Sequence, residues 1–248
     1  MSLGQPLTRA LVLAWACAAA GYSGGAAAQA TPPAAKIAAP AAAPAASTPV
    51  ASAPAGRPAV TLGPITRPLV RAGDEWIYRR GSGSASALLR QRVTQVDFDS
   101  ISLITELAGS PDTTTAVYNR EWGLLGSGYN TYVPALAYYS FPLYPGKRWR
   151  IDSAVSNFGA GQTGRIEGEG VALAFEEIET AAGKFVALKV SAAFETGDPG
   201  DAAYRVKVSE THWYVREVLR TVRVESETQA GNEPPRRETI ELVKFKID

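Results

Sequence analysis

His212 is the only histidine among 248 residues, and it stands between Thr211 and Trp213 in a run that alternates like a strand. A metal site or an acid–base pair needs partners. No second imidazole exists, and the single cysteine, Cys17, lies near the amino terminus. A solitary strand histidine is ordinarily a hydrogen-bonded structural residue, and His212 is read as one. The run GAGQTG, Gly159 to Gly164, matches the dinucleotide fingerprint G-x-G-x-x-G. That fingerprint works only where a strand feeds the glycines and a helix starts on them, so that amide groups can hold a pyrophosphate. Here the strand-like RIEGEGVALAF follows, so GAGQTG is read as a hairpin loop. Glu176, Glu177 and Glu179 form an acidic cluster. Adjacent strand residues point to opposite faces, so only Glu177 and Glu179 can share one. A hard cation wants more oxygens than these supply, and a solvated edge accounts for them. Neither a G-x-S-x-G elbow nor a Walker loop occurs. No catalytic residue, metal site or cofactor is expected, and the chain is read as non-enzymatic.

The stretch YVPALAYYSFPLYPGKRW carries Tyr132, Tyr138, Tyr139, Phe141, Tyr144 and Trp149, with Pro134, Pro142 and Pro145 and only Lys147 and Arg148 as charges. Its pattern fits neither helix nor strand. One reading makes these rings ordinary core, filling the concavity of a sheet. The other makes them line or gate an apolar cavity, since tyrosine joins an apolar body to a polar tip. On the second reading all six aromatic residues are candidate ligand-binding residues.

The elements that must position these groups are strands almost throughout. EWIYRR, ALLRQRVTQVDF, SISLITEL and TTTAVYNREW precede the aromatic stretch. GRIEGEGVALAFEEIET, FVALKVSAAFET, AYRVKVSETHWYV, LRTVRVESETQ and ETIELVKFKI follow it. Tyr204, Val206 and Val208 alternate with Arg205, Lys207 and Ser209, so one face is apolar and the other wet. Short connections favour an antiparallel meander. The expected fold is mainly β: a single curved antiparallel sheet, a half-barrel or open barrel. Its concave face would be covered by the aromatic, Pro-rich segment Gly123 to Pro145, with at most a helical turn or two near Ala135 to Tyr139.

GDEWIYRR, FPLYPGKRW, TAAGKFVALKV and HWYVREVLRTVRVE, in that order, resemble a bacterial periplasmic domain family of unknown function. That family is similar to the lipoprotein-carrier half-barrels of the LolA and LolB type. The resemblance implies a curved sheet around an apolar cavity. The chain departs from the family pattern in the turn after HWYV, where Arg216 and Leu219 replace an expected proline and glycine.

The first thirty residues read as a secretory signal. Arg9 supplies the positive end, an apolar run from Ala10 to Ala20 is too short to span a bilayer, and Ala28 and Ala30 form an A-x-A cleavage site. Lipid attachment at Cys17 is the competing reading. Residues 31–60 are Ala- and Pro-rich, a disordered linker by composition. Residues 61–248 form the β domain. Arg9, Lys36 and Arg57 lie before Thr61, which leaves 22 basic against 24 acidic residues in the domain. That balance excludes a nucleic-acid binder. The expected location is periplasmic or secreted, with no transmembrane span after cleavage. The expected function is binding of a lipid-like or other apolar small molecule. The alternative is a structural module on its linker, binding an envelope protein through a sheet edge or the aromatic loop.

Overall fold

Alternation of apolar and polar residues, interrupted by turn signals, yields twelve strands in the computed structural model, which describes residues 62–81, 86–197 and 205–247. The expected signal segment with Ala28 and Ala30, Cys17 and the linker lie outside the described residues. The strands are β1 (Glu75–Arg80), β2 (Ala87–Val96), β3 (Ser100–Leu107), β4 (Thr113–Asn119), β5 (Leu124–Ser127) and β6 (Asn130–Leu136). They continue as β7 (Arg148–Asn157), β8 (Gln162–Thr180), β9 (Gly183–Gly197), β10 (Val206–Val215), β11 (Arg220–Ala230) and β12 (Arg236–Lys246). Among the described residues there is no helix.

Each strand pairs antiparallel with its sequence neighbours, and β1 also pairs with β12, from Glu75 opposite Lys246 to Arg80 opposite Ile240. The sheet is therefore a closed barrel, not the expected half-barrel or open barrel. Closure satisfies the backbone groups that edge strands leave bare. Register shifts between Ile77 and Tyr78, Ala172 and Phe175, and Trp213 and Tyr214 mark bulges, which add twist and help the sheet to curl. Close approach between β8 and its neighbours requires glycine at inward positions. A Cβ on Gly168 would stand 2.1 Å from the Ala193 carbonyl oxygen, and one on Gly170 would stand 2.2 Å from the Trp149 indole.

The interior is apolar: Trp76 and Tyr78, Leu89, Ile101 and Leu103, Ile151, Leu188 and Val190, Val224, Ile240 and Leu242 are all buried. Each such side chain contributes about 1.5–3 kcal/mol on leaving water. The outer face is charged and cross-linked by ion pairs, among them Arg90–Glu75 at 2.6 Å, Arg223–Glu241 at 2.6 Å and Arg237–Glu227 at 2.7 Å. Exposed pairs of this kind contribute little to stability, but they show which side meets water. A membrane-spanning barrel has the opposite polarity, with an apolar band outside.

By up-and-down alternation the β2–β3, β4–β5, β6–β7, β8–β9 and β10–β11 connections share one end of the barrel. That end is capped by residues 137–147 together with residues 62–74. Ile65 and Leu143, both buried, exchange backbone hydrogen bonds at 2.8 Å each way. The Lys147 ammonium donates to the Ser140 and Pro142 carbonyls and gathers the loop. Gly146 N–H and the Ala172 N–H tie it to β8 at 2.8 Å each. The covering segment is thus shorter than expected: Leu124–Ser127 and Asn130–Leu136 are wall strands, and only the remainder plugs an end.

The β10–β11 turn closes tightly even without the proline and glycine of the resembled pattern. Leu219 N–H donates to the Arg216 carbonyl at 3.1 Å, and Leu219 adopts φ 58°, a conformation that costs a β-carbon-bearing residue energy. Trp122 holds it there, its indole N–H donating to the Leu219 carbonyl at 2.9 Å.

Candidate functional site

In β10 the inward positions are Val208, Glu210, His212 and Tyr214, all buried, because side chains two apart share a face. Glu210 and His212 therefore meet: Glu210 Oε2 lies 2.9 Å from His212 Nε2. On the other side of the ring, His212 Nδ1 lies 2.9 Å from the hydroxyl of Tyr139, in the cap. The same hydroxyl is bonded to the Thr221 hydroxyl at the start of β11. With Thr221 donating to Tyr139, Tyr139 donates to Nδ1 and Nε2–H donates to the acceptor-only Glu210 carboxylate. The chain of bonds runs from the barrel wall through the cap and back to the wall.

A second layer surrounds it. The Tyr78 hydroxyl donates to the Thr221 carbonyl at 3.0 Å, and Trp76 Nε1–H donates to the Val218 carbonyl at 2.9 Å. The buried Arg220 guanidinium stacks on Trp122 at 4.2 Å and lies 5.1 Å from the Trp76 ring and 5.5 Å from Tyr118. Burial pushes the phenols of Tyr78, Tyr139 and Tyr214 far above their ordinary range, with the Arg220 charge opposing part of the rise. These hydroxyls stay protonated and act as fixed hydrogen-bonding groups. A phenol so buried and doubly engaged holds structure; it does not attack a substrate. His212, read from sequence as a hydrogen-bonded strand residue, has both ring nitrogens engaged.

The six candidate aromatic residues do not form one surface. Tyr138 and Tyr139 are buried in the cap, with the Tyr138 ring 5.5 Å from His212 and 6.2 Å from Phe194. Phe141 packs on Tyr214 at 5.6 Å. Trp149 lies on Gly170 and donates its indole N–H to the Ala137 carbonyl at 3.1 Å. Tyr132 is buried on β6, beyond the cap. Tyr144 is exposed, with the Lys147 ammonium 5.8 Å from its ring. The cap thus brings Tyr138, Tyr139, Phe141 and Trp149 together and leaves Tyr132 and Tyr144 apart.

Away from the cap the inner wall changes character. Following the pairing register, Ala192, Phe194 and Thr196 on β9 face inward beside Gly170, Gly168 and Ile166 on β8. Val206, Val208 and Glu210 on β10 stand beside Ala230, Thr228 and Ser226 on β11. Most of these side chains are small. Val206, Ser226, Thr228 and Ala230 are only half-buried although they face the barrel axis, so solvent reaches the inner wall there. Arg80 and Glu238 form an inward ion pair between β1 and β12. At the rim of this end Tyr129 and Phe158 are exposed and stack edge to face at 5.5 Å. Buried acceptors in the interior include Gln91 Oε1, Thr196 Oγ1 and Glu210 Oε1, which have no hydrogen-bond partner among the described residues.

A depression of about 480 Å³ on the outside of β8–β11 is lined by Glu167, Glu195, Lys207 and Glu227. Its carboxylates are matched by Arg150 and Arg165, by Arg205 and by Arg237, which makes it a solvated charged face. Among the described residues no cluster of three or more His, Cys, Asp or Glu gathers as metal ligands do.

No family model matches the sequence, and a search of curated proteins found no match. Among solved structures the chain is similar to a candidate exported protein with a YmcC-like fold from Bacteroides fragilis. Identity is 14%, coverage is 74% of this chain and 100% of that one, and the TM-score is 0.48. It is similar to a candidate lipoprotein from Parabacteroides distasonis at 13% identity, covering 75% and 100%, with TM-score 0.48. It is similar to the hypothetical lipoprotein YmcC from Escherichia coli at 12% identity, covering 69% and 84%, with TM-score 0.42. Likeness at this level assigns neither family nor activity, and the site is read from its own residues.

Glu210, Thr221 and Arg220 escape a search for motifs. Glu210 and His212 do carry a sequence signal, since their spacing in an alternating strand places both on one face. Thr221 and Tyr139 carry none, because their meeting depends on barrel closure.

Proposed function

We propose that the protein is an exported, non-enzymatic barrel of the cell envelope that holds a lipid-like or other apolar small molecule in the half of its interior away from the cap. The carrying observation is the inner wall of that half, where the half-buried Ser226, Thr228 and Ala230 face the axis of a twelve-strand barrel. Barrel diameter grows with strand number, and about eight strands already enclose enough space for side chains to fill. Small inward residues on a wider barrel leave room. Phe194, Val208, Ile166 and Tyr132 supply apolar wall, while Tyr138 and the cap form the roof. Export rests on the signal-like amino terminus with its Ala28 and Ala30 cleavage site. Of the two routes of the alternative, an interaction module, pairing through a bare sheet edge finds no such edge in a closed barrel, and contact through the aromatic loop stands as the second route.

The test uses the purified full chain and the fluorescent apolar probe N-phenyl-1-naphthylamine. Wild type should bind the probe. Thr228→Trp, which fills the interior, should abolish binding, and the neighbouring outward Glu227→Trp should leave it unchanged. Absence of wild-type binding, or equal loss in both variants, refutes the reading.

A further inference from the structure

Glu210 is 1% exposed, and a buried carboxylate with an unused oxygen is costly unless something donates to it. Its Oε2 is taken by His212 Nε2, whereas Oε1 has no hydrogen-bond partner among the described residues. The side chain stands at the boundary between the capped and uncapped halves. His212 is the next inward residue toward the cap, and Val208 the next away from it. Across the ladder Ala192 and Ser226 flank it, and Glu238, paired with Arg80, lies beyond Ser226. The Tyr138 ring, between His212 and Phe194, roofs the same place. Its neighbours on both sides, Ala192 and Ser226, are small, and the carboxylate is closed to water, so a ligand head reaches it by displacing what packs over it.

We propose that Glu210 Oε1 is the polar anchor of that chamber and takes a hydrogen-bond donor, the hydroxyl or ammonium head of an apolar molecule. The proposal rests on the reading of the uncapped half as a binding chamber. An aliphatic amine or alcohol entering tail-outward completes the carboxylate's bonding on the side His212 leaves open. A molecule that can only accept hydrogen bonds strands the oxygen and is discriminated against. His212 acts as a positioning residue: its Nε2–H fixes which oxygen of Glu210 faces the chamber.

The test compares dodecylamine, dodecanol and dodecyl methyl ether, all below their aggregation concentrations, as competitors of N-phenyl-1-naphthylamine on the full chain. The alcohol and the ether are both uncharged and differ in whether they can donate. Wild type should prefer the amine and the alcohol over the ether by about tenfold, the usual consequence of stranding a buried polar group. In Glu210→Gln the amide oxygen satisfies His212 and the NH2 group faces the chamber, so the preference should invert toward the ether. If the variant does not fold, the wild-type series decides alone. Equal displacement by all three competitors means that a water satisfies Oε1, and it overturns the anchor while leaving the chamber. Probe binding that none of the three displaces overturns the anchor too. Failure of the probe itself to bind overturns the chamber beneath it.

Discussion

Tyr139→Phe removes one oxygen and leaves the ring in place, so it isolates the hydrogen bonds that fasten the cap. That oxygen serves His212 Nδ1 at 2.9 Å and the Thr221 hydroxyl, and both partner residues are 0% exposed. Water cannot replace it without opening the barrel. Losing a partner costs a buried polar group about 1–3 kcal/mol, so the change should destabilise by about 2–5 kcal/mol. In a domain of this size about 1 kcal/mol shifts the midpoint by about 2–4 °C, which gives a fall of about 5–15 °C. Urea unfolding followed by tryptophan fluorescence measures the energy, and thermal scans check it. Thr221→Val removes the hydroxyl on the other side of the bond at nearly constant shape. The double variant should therefore lose less than the sum of the single losses by about 1 kcal/mol or more, because replacing both partners spares one stranded group. A Tyr139→Phe protein within about 0.5 kcal/mol of wild type, or strict additivity with Thr221→Val, refutes the view that this chain of bonds fastens the cap.

Gly170→Ala should cost about 1–3 kcal/mol by overpacking and should displace the Trp149 indole, whose Cε2 lies 2.2 Å from where the new Cβ would stand. A red-shifted emission with a lowered urea midpoint is the expected readout, and an unchanged protein contradicts the packing described. Tyr78, Tyr139 and Tyr214 all have phenol pKa values raised by burial. Folded values above the unfolded value, about 10, mean that their contribution is full below that pH and declines as pH rises through the folded values. Each phenol should remove about 1.4 kcal/mol per pH unit in that window, and stability that stays flat to pH 11 contradicts their burial.

Much of the wall was legible because its strands obey the period of two. EWIYRR and SISLITEL coincide with β1 and β3, and the alternation of Val206 and Val208, carried on along β10, puts Glu210 and His212 on that same face, a pairing not read from the sequence. β5 and β6 were hidden inside the segment Gly123 to Pro145 expected to cover the sheet, since Gly126 and Pro134 weaken any strand pattern and Pro134 removes a ladder donor. Closure was invisible for a different reason. The pairing of Trp76 with Phe245 joins the two ends of the sheet, and nothing local in either strand encodes a partner so remote. Without closure, Tyr139, His212 and Thr221 cannot be brought to one point, so the reading of the rings stopped at a choice between core and lining. The structure divides that choice by residue. Tyr139 is engaged core, Tyr144 is surface, and Tyr132 belongs to the uncapped half.

The chain enters its barrel through the cap, where the Arg216 guanidinium clasps the Gly63 carbonyl at 2.7 Å and the Pro64 carbonyl at 3.0 Å, and Ile65 is stitched to Leu143. Tension applied to the chain at Leu62 would reach Arg216 and the Ile65–Leu143 bonds first, at the capped end. The opposite rim, with Tyr129 and Phe158, lies at the far end of the barrel from Leu62 and carries none of that load.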